Sequence, residues 1–382
     1  MARQAPRTRV LGDLGGMPVA RFLRDYWQRR PLVIRAAFPG FRAPVGRDRL
    51  LALARRDDVE SRLVTRAGRR WQLTHGPFSQ REFPPLTQKR WTLLVQGLDG
   101  ADRAAHELLG RFRFLSDARL DDLMASYATD GGGVGPHVDQ YDVFLLQAVG
   151  RRRWRVSRQR DQSLDERQPL KLLADFRPTR EWLLEPGDML YLPPGVAHEG
   201  VAEGECVTYS IGFRAPAWQE LLDPWFARFA AEVALAGRYA DRGTAPTTRP
   251  SELPSRLVTE AHRRLAARRP SRRDTERFLL EYLSEPKPQV VFSRPRSLTP
   301  AGFAQQARRR GLVLDERSRL LLGRNGLIAA NGEVTHATGA SLRVLRRLAD
   351  LRALGAGDLC TAPDSLLAEL RDWYAAGWLR LG

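Results

Sequence analysis

The sequence predicts an α+β chain. A β-rich barrel of the sandwich or jelly-roll kind comes first, then an all-helical stretch, then a small winged-helix-like unit. Three observations predict it. Between residues 120 and 214, short strand-like runs alternate with Gly and Pro, the punctuation of antiparallel all-β folds. After Pro216, apolar residues recur at helical spacing. Residues 291–382 combine a hairpin signal, two helical patterns and a short terminal strand.

The chain has 382 residues, enough for two or three domains. The changes of character divide it at 1–216, 217–290 and 291–382. Hydrophobic residues make up 43% and aromatics 8%, ample for buried cores. No run of about 18 uncharged apolar residues occurs, so no membrane span is expected. The N-terminus, Met-Ala-Arg-Gln-Ala-Pro-Arg-Thr-Arg, lacks the apolar core of a signal peptide. Cys206 and Cys360 are the only cysteines and lie far apart, so neither a disulfide framework nor a Cys-based zinc site is expected. A soluble cytoplasmic protein is the expectation. The net charge of +18 permits contact with ribosome or RNA. Lys89, Lys171 and Lys287 are the only lysines, however, and a compositional bias towards arginine accounts for that skew better than polyanion binding does.

Taken in order, Val19 to Arg30 predicts an amphipathic helix with Phe22, Leu23, Tyr26 and Trp27 on a core-facing stripe, stopped by Pro31. Strands are predicted at 32–35, 61–64, 70–73 and 91–95. A denser set follows at 121–127, 141–149, 153–156, 181–184, 189–192 and 206–213. From Trp218 to Ala240, Leu221, Leu222, Trp225, Phe226, Phe229 and Val233 mark a helix. A Gly/Thr/Pro-rich loop at 241–250 breaks it, and helices resume at 257–266 and 274–283. This helical stretch suits packing or dimerisation. A Pro-rich linker at 285–295 leads to the last unit. There, residues 320–330 with Asn331-Gly332 predict a hairpin, and helices at 341–354 and 365–376 precede a strand at 378–381. No sequence repeat is present.

The chemistry centres on Gly131-Gly-Gly-Val-Gly-Pro-His-Val-Asp-Gln-Tyr141. His137 and Asp139 are two apart, so on a strand both side chains leave one face. A second histidine, His198, follows Pro186-Gly-Asp188, a short strand and Pro193-Pro-Gly195, which places it on a turn packed against a strand. Two imidazoles and one carboxylate on one face of a metal are the ligand set of non-haem Fe(II) oxygenases, with the other face open for a cosubstrate and O2. The cosubstrate 2-oxoglutarate needs a cation for its far carboxylate, and a bidentate arginine suits one. In Arg151-Arg-Arg-Trp-Arg-Val156, Arg152 shares parity with Trp154 and Val156, whereas Arg151, Arg153 and Arg155 share the other face. Arg152 is thus the inward candidate, the alternative being that all four are surface cations. Ser126 shares a face with Met124 and Ala128. It is either a hydroxyl partner for the same carboxylate or a small core residue. His75, His106, His262 and His336 have no second ligand in register, and Asp188 reads as a turn former.

These segments resemble the JmjC-domain ribosomal oxygenases, and more narrowly their bacterial YcfD/RoxA branch. The resemblance rests on His137-Val-Asp-Gln-Tyr-Asp-Val-Phe144, Gly150-Arg-Arg-Arg-Trp-Arg155, Glu185-Pro-Gly-Asp-Met-Leu-Tyr-Leu-Pro-Pro-Gly-Val-Ala-His-Glu-Gly200 and Tyr209-Ser-Ile-Gly-Phe-Arg-Ala-Pro216. It extends upstream through Tyr26-Trp27, Pro31-Leu32, Ser61-Arg-Leu-Val64, His75-Gly-Pro-Phe78 and Trp91-Thr-Leu-Leu-Val-Gln96. Val138 stands where a leucine is expected, facing away from the metal. The resemblance implies a JmjC double-stranded β-helix, a cupin-like jelly roll, followed by a helical dimerisation region and a winged-helix domain, hence a homodimer. It implies Fe(II) held by His137, Asp139 and His198, and 2-oxoglutarate held by Arg152 and Ser126. It implies a dioxygenase that hydroxylates C3 of an arginine in the sixteenth large-subunit ribosomal protein. Two other readings stay open at this point: hydroxylation of a ribosomal-protein histidine, and a non-catalytic cupin module that docks on ribosome or RNA.

Overall fold

The computed structural model describes residues 9–236, 238, 240, 253–267 and 269–382. The loop expected at 241–250 lies outside them. Contacts divide the chain into two compact units: 1–215 with 286–319 and 338–382, and 216–285 with 320–337.

In the first unit a ribbon of β1 (Asp13–Leu14) and β2 (Met17–Pro18) leads into helix α1 (Val19–Asp25). The helix ends five residues short of Arg30. Gln28 takes φ 55°, because tertiary bonds hold it there. Its N–H donates to the Tyr191 hydroxyl at 2.7 Å and its amide to Asp142 at 2.9 Å. The expected apolar stripe does face the core, with Phe22 fully buried and Leu23, Tyr26 and Trp27 packed beside it.

Then follow β3 (Leu32–Ile34), α2 (Arg47–Leu53), β4 (Ser61–Ala67), β5 (Arg70–His75), β6 (Trp91–Val95), α3 (Leu98–Ala101), α4 (Arg103–Gly110), β7 (Leu120–Ala128), β8 (His137–Val138), β9 (Asp142–Ser157), β10 (Arg180–Leu184), β11 (Met189–Leu192) and β12 (Ala197–Phe213). They form one ten-stranded sheet in the order β3-β11-β9-β12-β7-β6-β4-β5, with β10 on β9 and β8 on β12. Every neighbouring pair in this sheet runs antiparallel.

Two long bent strands organise this sheet. The runs expected at 141–149 and 153–156 are one strand, β9, bent at Gly150. Likewise β12 begins at Ala197 and not at Cys206, which places His198 inside a strand and not on a turn. The cause is the Glu203-Gly-Glu205 irregularity, where the β9–β12 register shifts between Glu203 and Val207. Gly150 has φ 62°, and a Cβ there would stand 2.1 Å from the Glu205 carbonyl oxygen, so only glycine fits this crossing. The bend also switches side-chain parity. Before it, Phe144, Leu146 and Ala148 enter one core while Val143 and Leu145 enter another; after it, Trp154 and Val156 join Val143 and Leu145.

Downstream lie α5 (Trp218–Glu232), α6 (Ser255–Ala266), α7 (Arg272–Ser284), α8 (Pro300–Arg310), β13 (Leu312–Leu314), β14 (Leu320–Leu322), β15 (Leu327–Ala330), β16 (Glu333–His336), α9 (Gly339–Leu351), β17 (Ala353–Leu354), α10 (Ala356–Leu359), α11 (Asp364–Ala375) and β18 (Leu379–Leu381). The sequence missed α8, although Thr299 caps it through the Gly302 N–H and Pro300 opens it. Helix α5 stops eight residues before Ala240. The expected Asn331-Gly332 turn joins β15 to β16, with φ 49° and 91°. In the second unit α7 buries Phe278 and Leu280 and packs against β14, β15 and β16. In the first unit β17, β13 and β18 form a separate three-stranded sheet.

Candidate metal and cosubstrate site

The glycine run before His137 is a device for close approach. A Cβ on Gly133 would stand 2.4 Å from the Gly200 carbonyl oxygen, and one on Gly132 2.5 Å from that of Trp91. The loop can therefore lie flat on the sheet and deliver β8 against β12, with His137 directly opposite His198. Asp139 follows just past β8, fixed by its own carbonyl accepting the Gly195 N–H at 2.8 Å.

The three side chains converge. The Asp139 carboxylate lies 3.6 Å from His198 Nε2 and 4.0 Å from His137 Nε2, and the two imidazole centroids are 4.2 Å apart. Among the described residues this is the one cluster of three or more His, Cys, Asp or Glu able to share a metal ion, with its donor atoms within 4.8 Å of one another. Each histidine is turned by a backbone carbonyl. His137 Nδ1–H donates to Gly135 and His198 Nδ1–H to Val196, both at 2.9 Å. A carbonyl can only accept, so the proton sits on Nδ1 and the Nε2 lone pair faces the cluster, the tautomer a metal requires. Burial, then the neighbouring His137, pushes the His198 imidazole down to about 4, so it is neutral at pH 7. Donor set, tautomer and spacing all fit a divalent first-row metal.

Deeper along β9, Arg152 is 3% exposed. The alternation read from the sequence holds: Arg151 faces solvent, while Arg153 pairs with Glu181 and Glu203 and Arg155 with Glu199. Among the described residues no carboxylate pairs with Arg152. One of its terminal nitrogens donates to Ser126 Oγ at 3.2 Å and Cys206 Sγ at 3.5 Å, and its Nε has no partner. A buried guanidinium held by neutral groups alone is costly unless an anion joins it, which fits a carboxylate-bearing cosubstrate. Trp154 stands between the two ends, its ring 5.9 Å from the His198 ring and 5.8 Å from the Arg152 guanidinium carbon.

The other candidates fall elsewhere. Asp188 accepts from the Ala36 and Glu185 N–H groups and from Arg35, which is a turn-holding role. His106 lies on α4, His262 on α6 and His336 bonds the Asn325 carbonyl. The sequence reading missed Tyr141, which interacts with Asp139, and Cys206. Parity with His137 and Asp139 was the available signal for Tyr141. None existed for Cys206, whose place depends on the register shift.

A jelly-roll sheet carrying this donor set at one end and a waiting cation at the other defines a class, the metal-dependent oxygenases of cupin-like fold. A family profile described as "JmjC domain" matches residues 107–221, and one described as "ROXA-like winged helix" matches 262–380. The ribosomal protein uL16 3-hydroxylase of Escherichia coli (strain K12) is 42% identical over 234 residues, 61% of this chain and 62% of that protein. The aligned sequence thus spans less than two thirds of that relative's length. Structural likeness runs further. The structure of YcfD, a ribosomal oxygenase from Escherichia coli, covers 97% of this chain and 99% of its own at 32% identity, TM-score 0.83. A second YcfD structure, in complex with cobalt and 2-oxoglutarate, covers 96% and 99% at the same identity and TM-score 0.83. The chain belongs to the YcfD-like family of JmjC ribosomal oxygenases.

Proposed function

We propose that this protein is an Fe(II)- and 2-oxoglutarate-dependent oxygenase that hydroxylates C3 of an arginine in ribosomal protein uL16. The observation that carries the reading is the pairing of a facial His137, Asp139 and His198 cluster with a buried, carboxylate-free Arg152 on the same sheet. Similarity to a uL16 3-hydroxylase supplies the substrate. A ribosomal-protein substrate supports a cytoplasmic location for the enzyme.

His137, Asp139 and His198 would hold the metal through two Nε2 atoms and one carboxylate oxygen. Arg152 would take the far carboxylate of 2-oxoglutarate by charge-assisted hydrogen bonds, with the Ser126 hydroxyl as a second donor. Bound there, Fe(II) and 2-oxoglutarate supply O2-dependent oxidation, in which the cosubstrate leaves as succinate and CO2 and one oxygen atom enters a substrate C–H bond. The Gly135 and Val196 carbonyls fix the imidazole tautomers. Val143, Leu145, Leu184, Leu190 and Val196 cluster with Trp154, whose ring neighbours that of His198, an apolar setting that would limit water at the reacting end.

The domain division offered with this reading is a JmjC domain at 1–216, a helical dimerisation region at 217–290 and a winged-helix-like domain at 291–382. The helical region supports a homodimer, because α5 and α6 leave Trp218, Phe226, Val258 and Leu265 exposed. Contact of the basic chain with ribosome or RNA rests on charge, and would show as salt-dependent binding.

The test is incubation of a uL16 fragment with the protein, Fe(II), 2-oxoglutarate and O2, followed by tandem mass spectrometry. One added oxygen on an arginine is expected. Oxygen placed on a histidine would favour histidine hydroxylation, and no 2-oxoglutarate turnover with any ribosomal protein would leave a binding module.

A further inference from the structure

We infer that Cys206 closes the carboxylate end of the cosubstrate pocket, where its thiol holds Arg152 in place and a small uncharged side chain is required. The inference rests on the reading of Arg152 as the partner of the cosubstrate's far carboxylate.

Cys206 is fully buried, within the stretch of β12 where its register against β9 shifts, and lies opposite Ala128 on β7. The crossing at Gly150 puts it there: a Cβ on Gly150 would lie 3.1 Å from both Cα and Cβ of Cys206. Its neighbours are small. Cys206, Ala128 and Ala202 form a cluster of their own, Ala202 lies across from Arg152 on the next strand, and Ser126 is two residues before Ala128 on β7. The Arg152 guanidinium reaches this cluster through Ser126 and Cys206.

The hydrogen bonding gives the thiol its role. One terminal nitrogen of Arg152 donates to both Ser126 Oγ and Cys206 Sγ. Each therefore acts as an acceptor towards the arginine and keeps its own hydrogen for another acceptor. The unpartnered Nε of this guanidinium, 97% buried, is the independent sign that an anion belongs beside it. Cys206 fixes the direction of the fork without neutralising it. An acidic residue at 206 would pair with Arg152 permanently and exclude the dicarboxylate.

Calorimetry with Mn(II) as a non-turnover metal tests this. Cys206→Ser should bind 2-oxoglutarate within about twofold of wild type, whereas Cys206→Asp should lose about thirtyfold or more, the scale of a disrupted buried charge pair, while still binding Mn(II). Undiminished binding by Cys206→Asp overturns the inference.

Where Cys206→Asp loses Mn(II) as well, thiol labelling decides. In Cys360→Ser protein Cys206 is the one cysteine left. Methyl methanethiosulfonate would form its S–S–CH3 adduct, with methanesulfinate leaving. At ten times Kd, 2-oxoglutarate with Mn(II) should slow labelling about tenfold. A rate unchanged by 2-oxoglutarate, fast or negligible, counts against Cys206 in the pocket. Arg152→Ala separates the two levels: if it keeps full affinity the pocket itself is misassigned, and if it alone loses affinity the error lies only with Cys206.

Discussion

Arg152 carries a positive charge into a barrel where the groups meeting it are a hydroxyl and a thiol. That imbalance makes it the most sensitive residue of the cosubstrate end. Arg152→Ala should raise the apparent 2-oxoglutarate requirement more than about tenfold, from the roughly 2–5 kcal/mol of a truncated buried charge pair. Arg151→Ala, on the solvent face, should leave it near wild type. Initial rates against cosubstrate concentration check both, and equal effects would show that Arg152 is not the carboxylate partner. At the metal end, Asp139→Ala should abolish turnover and weaken Mn(II) binding while the circular dichroism spectrum stays native, since the carboxylate is partly exposed and supports no core packing. At this scale the sequence was legible wherever period-two alternation ran undisturbed, as at Arg152, Trp154 and Val156. Cys206 was not legible, because its contact with Arg152 spans a register shift that no spacing rule encodes.

At the scale of elements, the two long strands show what the sequence conceals. Gly150 and the Glu203–Glu205 stretch look like ends of strands, and each is a bend within one. Gly150→Ala would force a side chain into left-handed backbone and against the Glu205 carbonyl. A loss of about 2 kcal/mol or more is expected, read as a lower urea midpoint, together with weaker 2-oxoglutarate binding because Cys206 lies against the same crossing. Helix α4 offers a pH test. Burial, then the Arg352 guanidinium, pushes His106 down to about 3, and its Nδ1 has no hydrogen-bond partner. The unfolded chain would bind a proton there near the ordinary value of 6.5. Stability from a neutral His106 is therefore full above that value and is lost as pH falls towards about 3. His106→Leu should flatten the fall in unfolding free energy between about pH 6.5 and 4 by up to roughly 1.4 kcal/mol per pH unit. Urea titrations of both proteins across that range check it, and parallel slopes would refute it.

At the scale of the molecule, the proposed dimer rests on apolar surface that the second unit leaves uncovered. The sequence pointed to Trp225, Phe226 and Phe229 on α5. In the structure Trp225 and Phe229 are half-buried, and the exposed positions are Trp218 at 87% and Phe226 at 52%, with Val258 and Leu265 on α6 at 52% and 64%. Helical periodicity marks an apolar face but cannot say which part of it the chain's own helices cover. Here α7 reaches α5 with an ion pair between Arg228 and Glu281, so only part of the stripe is left for a partner. Isolated exposed apolar residues are ordinary, but several large ones on two helices of one unit suit an interface. An isologous dimer is the commonest way to cover such a face. Wild-type protein should therefore scatter light as a dimer at micromolar concentration. Trp218→Glu with Phe226→Glu should yield monomers that keep metal and 2-oxoglutarate binding, since neither residue belongs to the jelly roll. A wild-type monomer would remove the dimer altogether, and a dimer that survives both charges would move its interface off α5. Should the dimer hold and the double variant dissociate, comparing uL16 hydroxylation with substrate-free 2-oxoglutarate decay separates two roles for it. A loss confined to hydroxylation would mean that the paired subunits present the protein substrate, whereas equal losses would mean that the dimer only stabilises the fold.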